Sequence, residues 1–141
     1  MTLPRTNPGA TTVSQSVVLE APPGEIWEAL TADSILSEWL APEVELEPHE
    51  GGEIVCRYED GEERRGEVEL VGDAERLAFR WHRQGGGPSR VQLRVDAVAG
   101  GTRLTVIEAG LIAETASPLL AASWAPRMRA LQLVVGKLVL A

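Results

Sequence analysis

Glu108 is the residue whose chemistry sits least easily with its neighbours. In TRLTVIEAG, Leu104 and Val106 are alternating apolar positions, and the same alternation carries Glu108 to the dry side of the strand. A carboxylate turned inward needs water, a partner or a proton, and such a mismatch is one mark of a functional site. A strand end or bulge at Ile107 would instead release it to solvent. Tyr58 shares a dry parity with Ile54 and Cys56 and brings a hydroxyl that needs a hydrogen-bond partner. Either group could handle a proton inside a cavity. Cys56, with nothing in the sequence to lower its pKa, reads as a small inert hydrophobe rather than a nucleophile.

The remaining reactive residue types are sparse. His49 lies in the turn Pro48-His49-Glu50-Gly51, and His82 lies on the polar side of RLAFRWHR; both read as solvated surface. Two separated histidines and one thiol make no metal-ligand set, and HExxH, paired cysteines, a phosphate-binding loop and GxSxG do not occur. Neither a metal nor a cofactor is expected, and no residue is assigned as catalytic. GGGP joins two strands rather than a strand and a helix, so it is no phosphate cradle. Glu43, Glu45 and Glu47, like Arg64 and Arg65, read as solvated strand faces with cross-strand pairing.

Aromatic side chains are few: four Trp, one Tyr and one Phe. Trp27 reads as packing. Trp39, Trp81 and Trp124, with Met128 one turn beyond Trp124, are candidates to line a pocket beside Tyr58 and Glu108.

The elements that would hold these residues follow from the hydrophobic periods. VSQSVVLE is a first strand beginning at Val13, and Ala21-Pro22-Pro23-Gly24 stops it and opens a short helix with Ile26, Trp27 and Leu30. Asp33 or Ser34 is expected to cap a second short helix carrying Ile35, Leu36, Trp39 and Leu40, which ends before Pro42. From Val44 to Ala109 the period falls to two, with turns at Gly51-Gly52, Asp60-Gly61, GGGPS and Gly100-Gly101, as in an antiparallel meander. Val68 and Leu70 are expected on one face of their strand. After a segment opened by Ser117-Pro118, Trp124, Met128, Leu131, Val135 and Leu138 form the stripe of one long helix starting near Ser123. Pro126 fits only its first turn, and Gly136 weakens its interior. The expected fold class is α+β: a curved antiparallel sheet of about seven strands, with two short helices after the first strand, wrapped around a long C-terminal helix. Residues 1–12 read as a flexible tail and 13–141 as a single domain.

The whole chain is consistent with that plan. It has 141 residues, 44% of them apolar and 24% charged, the composition of a folded domain. Its formal charge of -8 disfavours nucleic acid and anionic membrane surfaces as partners. No apolar run approaches the ~20 residues of a membrane span, and the first twelve residues have no apolar core of a secretory signal. With one cysteine, the reading is a cytoplasmic protein.

APPGEIWEALTADSILSEWLAP, GGEIVCRYEDGEERRGEVELV, RLAFRWH and GGTRLTVIEAG, in that order, resemble the bacterial homologues of the activator of the ninety-kilodalton heat-shock chaperone's ATPase. That family lies within the START-related helix-grip (SRPBCC) superfamily, and the resemblance runs from Val13 to Leu138. It implies the helix-grip fold, and a superfamily of lipid and hormone carriers, cyclases, dehydratases and co-chaperone domains. Three functions follow as expectations. The first is non-catalytic binding of a hydrophobic small molecule or lipid between the sheet and the last helix. The second is a cyclase- or dehydratase-type enzyme using Glu108 or Tyr58 in that cavity. The third is a chaperone-activator-like protein-binding module, with a chaperone as partner. A homodimer is compatible with all three.

Overall fold

The computed structural model describes residues 12–83, 87–110 and 124–140. Apart from Thr12, the expected N-terminal tail lies outside the described residues. So do Ser117-Pro118, the first two glycines of GGGPS and the side chain of Leu138.

Eight residues of alternating exposure form β1 (Thr12–Leu19), starting one residue before the β-branched run. Pro22 is extended and stands at the N-cap, and Pro23, whose missing N–H costs nothing in a first turn, opens α1 (Pro23–Thr31). Ile26, Ala29 and Leu30 form the buried stripe of α1. Ala32 is extended and separates α1 from α2 (Asp33–Trp39), standing at the N-cap position expected of Asp33 or Ser34. Asp33 is therefore inside the first turn, and its carboxylate serves the sheet instead, Oδ1 accepting the backbone N–H of Leu46 at 3.0 Å. The Ser37 hydroxyl accepts the N–H of Val44 at 3.0 Å, so two side chains of α2 fasten the following edge strand.

That strand, β2 (Glu43–Leu46), begins a run of six: β3 (Glu53–Arg57), β4 (Glu63–Gly72), β5 (Arg76–Arg83), β6 (Ser89–Val98) and β7 (Gly101–Gly110). All pairings are antiparallel. The sheet order is β1-β7-β6-β5-β4-β3-β2, so the first strand pairs with the last and β2 is the far edge. The two short helices carry the chain from one edge of this curved sheet to the other. Inward positions are those the alternation names: Leu77, Phe79 and Trp81 on β5; Val91, Leu93 and Val95 on β6; Leu104, Val106 and Glu108 on β7. One position departs from expectation. Val68 faces Phe79, but the next register pair is Leu70 with Ala78, so Glu69 is an extra residue in a bulge. Leu70 is thereby turned out, 39% exposed, and Val71, opposite Leu77, packs against the core in its place.

α3 (Trp124–Leu140) lies against α2 and also meets β1 and α1. Pro126 falls in its first turn, and Trp124, Met128, Leu131, Val134 and Val135 are buried. Each such side chain contributes about 1.5–3 kcal/mol by leaving water, so α3 completes the core rather than decorating it. The result is a helix-grip fold of the α+β class.

Candidate functional site beneath the C-terminal helix

The alternation on β7 brings Glu108 fully inside, with no exposed surface. Three donors meet it there. Trp81 Nε1 and the Ser89 hydroxyl donate to Oε2 at 2.9 and 2.5 Å, and Trp124 Nε1 donates to Oε1 at 2.7 Å. The four residues come from β5, β6, β7 and α3, so one carboxylate joins three neighbouring strands to the start of the last helix. Both indoles are consequently fixed in orientation. Their rings stack at 6.5 Å with 25° between planes, and Phe79 meets Trp81 edge-on at 5.1 Å.

Two guanidinium groups lie over the indole faces. Arg127, three residues along α3 from Trp124, stands 4.8 Å from the Trp124 ring centre and 5.6 Å from that of Trp81. Arg64 stands 4.8 Å from Trp81 and 5.8 Å from the Tyr58 ring. Such contacts contribute roughly 0.5–2 kcal/mol each, increasing as the cation is desolvated. Arg127 is further held by donating Nη2 to the Tyr58 hydroxyl at 2.6 Å and Nε to the Leu40 carbonyl at 3.1 Å. The Nε of Arg64 is buried and has no hydrogen-bond partner among the described residues.

Burial pushes the Cys56 thiol up to about 12 against the pull of Arg127 and Arg64, so it remains a thiol at neutral pH. Burial also raises the Tyr58 phenol, again opposed chiefly by Arg127 and then Arg64. Tyr58 is therefore a phenol in function, and since it accepts from Arg127, its own proton can be donated elsewhere.

Tyr58 also faces outward. It is one wall of a cleft of about 290 Å³ that Pro42, Glu43, Glu59, Gly61 and Glu63 help to line. Glu43 is 3.8 Å from Arg57; Glu63 is 3.8 Å from Arg57 and 2.6 Å from Arg65. A larger hollow, about 640 Å³, lies on the outer side of β4 and β5 among Arg65, Glu69 and Arg80. Its charged side chains are largely committed: Arg65 to Glu53 and Glu63, and Arg80 and Arg90 to Glu69.

Of the residues that the sequence singles out, Tyr58, Trp81, Glu108 and Trp124 meet through Arg127 and the Glu108 network. Met128 is buried one turn further along α3. Trp39 is buried apart from these hydrogen bonds: its indole N–H donates to the Ala29 carbonyl at 2.9 Å and ties α2 to α1. His82 is exposed on the outer face and His49 on its turn. Three further participants go beyond the sequence reading. The expectation of a solvated Arg64-Arg65 pair holds for Arg65, which is outside on Glu53 and Glu63, but Arg64 is inside. Its parity is that of Gly66 and buried Val68, a signal carried by period two alone. Ser89 belongs to β6 rather than to the GGGPS loop, and it shares the parity of Val91, Leu93 and Val95. Arg127 follows Trp124 by one helical turn.

Comparison with known proteins agrees with this architecture. DynU16, a protein of the dynemicin biosynthetic locus, superposes with a TM-score of 0.79 at 25% identity over 89% of this chain, which spans only 47% of DynU16. A protein from Mesorhizobium loti gives a TM-score of 0.82 at 21% identity, covering 90% of this chain and 98% of its own. CalU16 from Micromonospora echinospora gives 0.73 at 23% identity, covering 93% and 81%. The last two likenesses concern the fold. No curated protein matches the chain in sequence. The family model described as activator of Hsp90 ATPase homolog 1-like protein matches residues 20–135. With the sheet, the two crossing helices and the gripped C-terminal helix nearly all inside that span, the chain belongs to the activator of Hsp90 ATPase homolog 1-like family.

Proposed function

We propose that the protein binds a hydrophobic small molecule between the sheet and α3, against Trp81, Trp124, Met128 and Tyr58, without transforming it. The observation that carries this reading is the double position of Tyr58. Its ring walls an open cleft of about 290 Å³, near the lower limit of small-molecule sites, while its hydroxyl belongs to the inner Arg127 group. A ligand entering along Tyr58 would meet indole faces for its apolar body and a few fixed polar groups for orientation.

Carriage is favoured over acid–base catalysis by the state of the two proton-handling candidates. Glu108 has both oxygens hydrogen-bonded and no exposed surface, which suits a group that positions the indoles better than one that exchanges protons with a substrate. Tyr58 is held in its phenol form by burial and can donate a hydrogen bond, but it is a poor base near neutrality. Among the described residues the large exposed apolar side chains are Val18, Leu70 and Leu133, on β1, β4 and α3. These three lie on separate elements.

Native mass spectrometry with excess neutral apolar probes, dodecanol and 2-naphthol, tests the reading. It should give a one-to-one adduct. A chain that stays bare with both probes contradicts it.

A further inference from the structure

We infer that the ligand of this site carries a carboxylate, received by Arg64 and Tyr58. The inference rests on the binding reading above and adds the chemistry of the head group. Arg64 is the point of departure. It faces inward on β4, its guanidinium stacks against the Trp81 and Tyr58 rings, and its Nε is buried without a hydrogen-bond partner among the described residues. Rings satisfy the face of a guanidinium but not its N–H edge.

Among the described residues no anion meets that edge. Glu108 is the buried carboxylate among them, and its oxygens receive Trp81, Ser89 and Trp124. Several arginines on the outer face of the same sheet do have acidic partners. Arg57 pairs with Glu45, Arg65 with Glu53 and Glu63, Arg80 and Arg90 with Glu69, and Arg94 with Asp96. A sheet so rich in acidic partners outside leaves a half-buried guanidinium inside without one.

The chemistry of the guanidinium suits a planar oxyanion. The Nε and one Nη of an arginine form a two-donor edge that matches the two oxygens of a carboxylate, and such bidentate pairs are the strong, directional form of charge-assisted hydrogen bonding. The Tyr58 hydroxyl accepts from Arg127, so its proton remains available to the same oxyanion. The remainder of the molecule is the apolar body that the binding reading above places beside the indoles. The ligand class is thus an apolar, preferably aromatic, body bearing a carboxylate.

Quenching of tryptophan emission in the full chain should be titrated at neutral pH with naphthalene-2-carboxylate and with its neutral, near-isosteric amide. The acid should bind about tenfold or more tightly than the amide, the range expected of a charge-assisted pair. Arg64→Gln should bring acid and amide to equal affinity, with a cooperative thermal unfolding transition showing that the variant is folded. Arg64→Lys, which keeps the charge but not the planar edge, should retain only part of the preference. Equal binding of acid and amide by the natural chain overturns the carboxylate inference while leaving the binding reading intact. So does an acid preference that survives in Arg64→Gln. Failure of both probes to bind removes the two together.

Discussion

At the residue scale the decisive contact is Glu108 with its three donors. Removing the carboxylate leaves two indole N–H groups and one hydroxyl buried and without acceptors, and each orphaned donor costs about 1–3 kcal/mol, not fully additively. Glu108→Ala should therefore lose about 3–5 kcal/mol in urea denaturation. Glu108→Gln, which retains one oxygen but turns an N–H₂ toward a donor, should fall between. An alanine variant within about 1 kcal/mol of the natural chain would mean that the network is not structural. The inward parity of Glu108 and the dry side of Tyr58 are legible in the sequence, through alternation with Leu104 and Val106 and with Ile54 and Cys56, but only the unbroken β6–β7 register rules out the bulge at Ile107 that would have released Glu108 to solvent. The partners are not legible there. Trp81 and Ser89 reach Glu108 only through the register of β5, β6 and β7, and Trp124 only through the docking of α3. Arg64 is an instructive middle case. Its parity marks it as inward, but a charged residue beside a second arginine suggests surface, and nothing local reveals aromatic faces waiting for it.

At the element scale, β4 shows how backbone chemistry sets which side chains reach the site. Gly66 lies opposite Trp81, on the inward parity between Arg64 and Val68. A Cβ there would overlap the backbone carbonyl of Arg80, so the close approach of β4 and β5 depends on glycine. Gly66→Ala should cost roughly 3 kcal/mol or more, because a rigid backbone rather than a flexible side chain must yield. Gly72→Ala, with nothing within 4 Å of the added methyl, should stay within about 1 kcal/mol and serves as the control. Equal stabilities for the two variants would contradict this account of the β4–β5 approach. Element order, the two crossing helices and the long final helix are readable from proline positions and changes of period. The bulge at Glu69 is not, because ELV continues the alternation and only pairing with β5 shows the extra residue. Asp33 misleads as a helix cap for a related reason: a carboxylate that suits a helix start also suits an edge-strand N–H, and the nearness of Leu46 decides between them.

At the scale of the whole molecule, the formal charge is -8, yet the described interior gathers arginine. On the outer face Arg57, Arg65, Arg80 and Arg90 are paired with glutamates and Arg94 with Asp96. Beneath α3, Arg64 and Arg127 lie over indoles whose N–H groups are held by one glutamate. That division sets the inner region apart from a plain apolar core. The helix-grip arrangement explains how it forms, since strands from the middle of the curved sheet and the start of the long helix all contribute side chains to one buried cluster. Among the described residues no helix is long and apolar enough to cross a membrane.

If a small molecule binds beneath α3, it contacts Trp81 and Trp124. The most direct measurement is a two-dimensional nitrogen–proton NMR titration with naphthalene-2-carboxylate, following the four indole N–H resonances. Saturable shifts of the Trp81 and Trp124 signals together are expected, with Trp27, half-buried on α1, unmoved. A titration in which those two signals stay fixed while the probe binds elsewhere, or fails to bind, would contradict the binding reading.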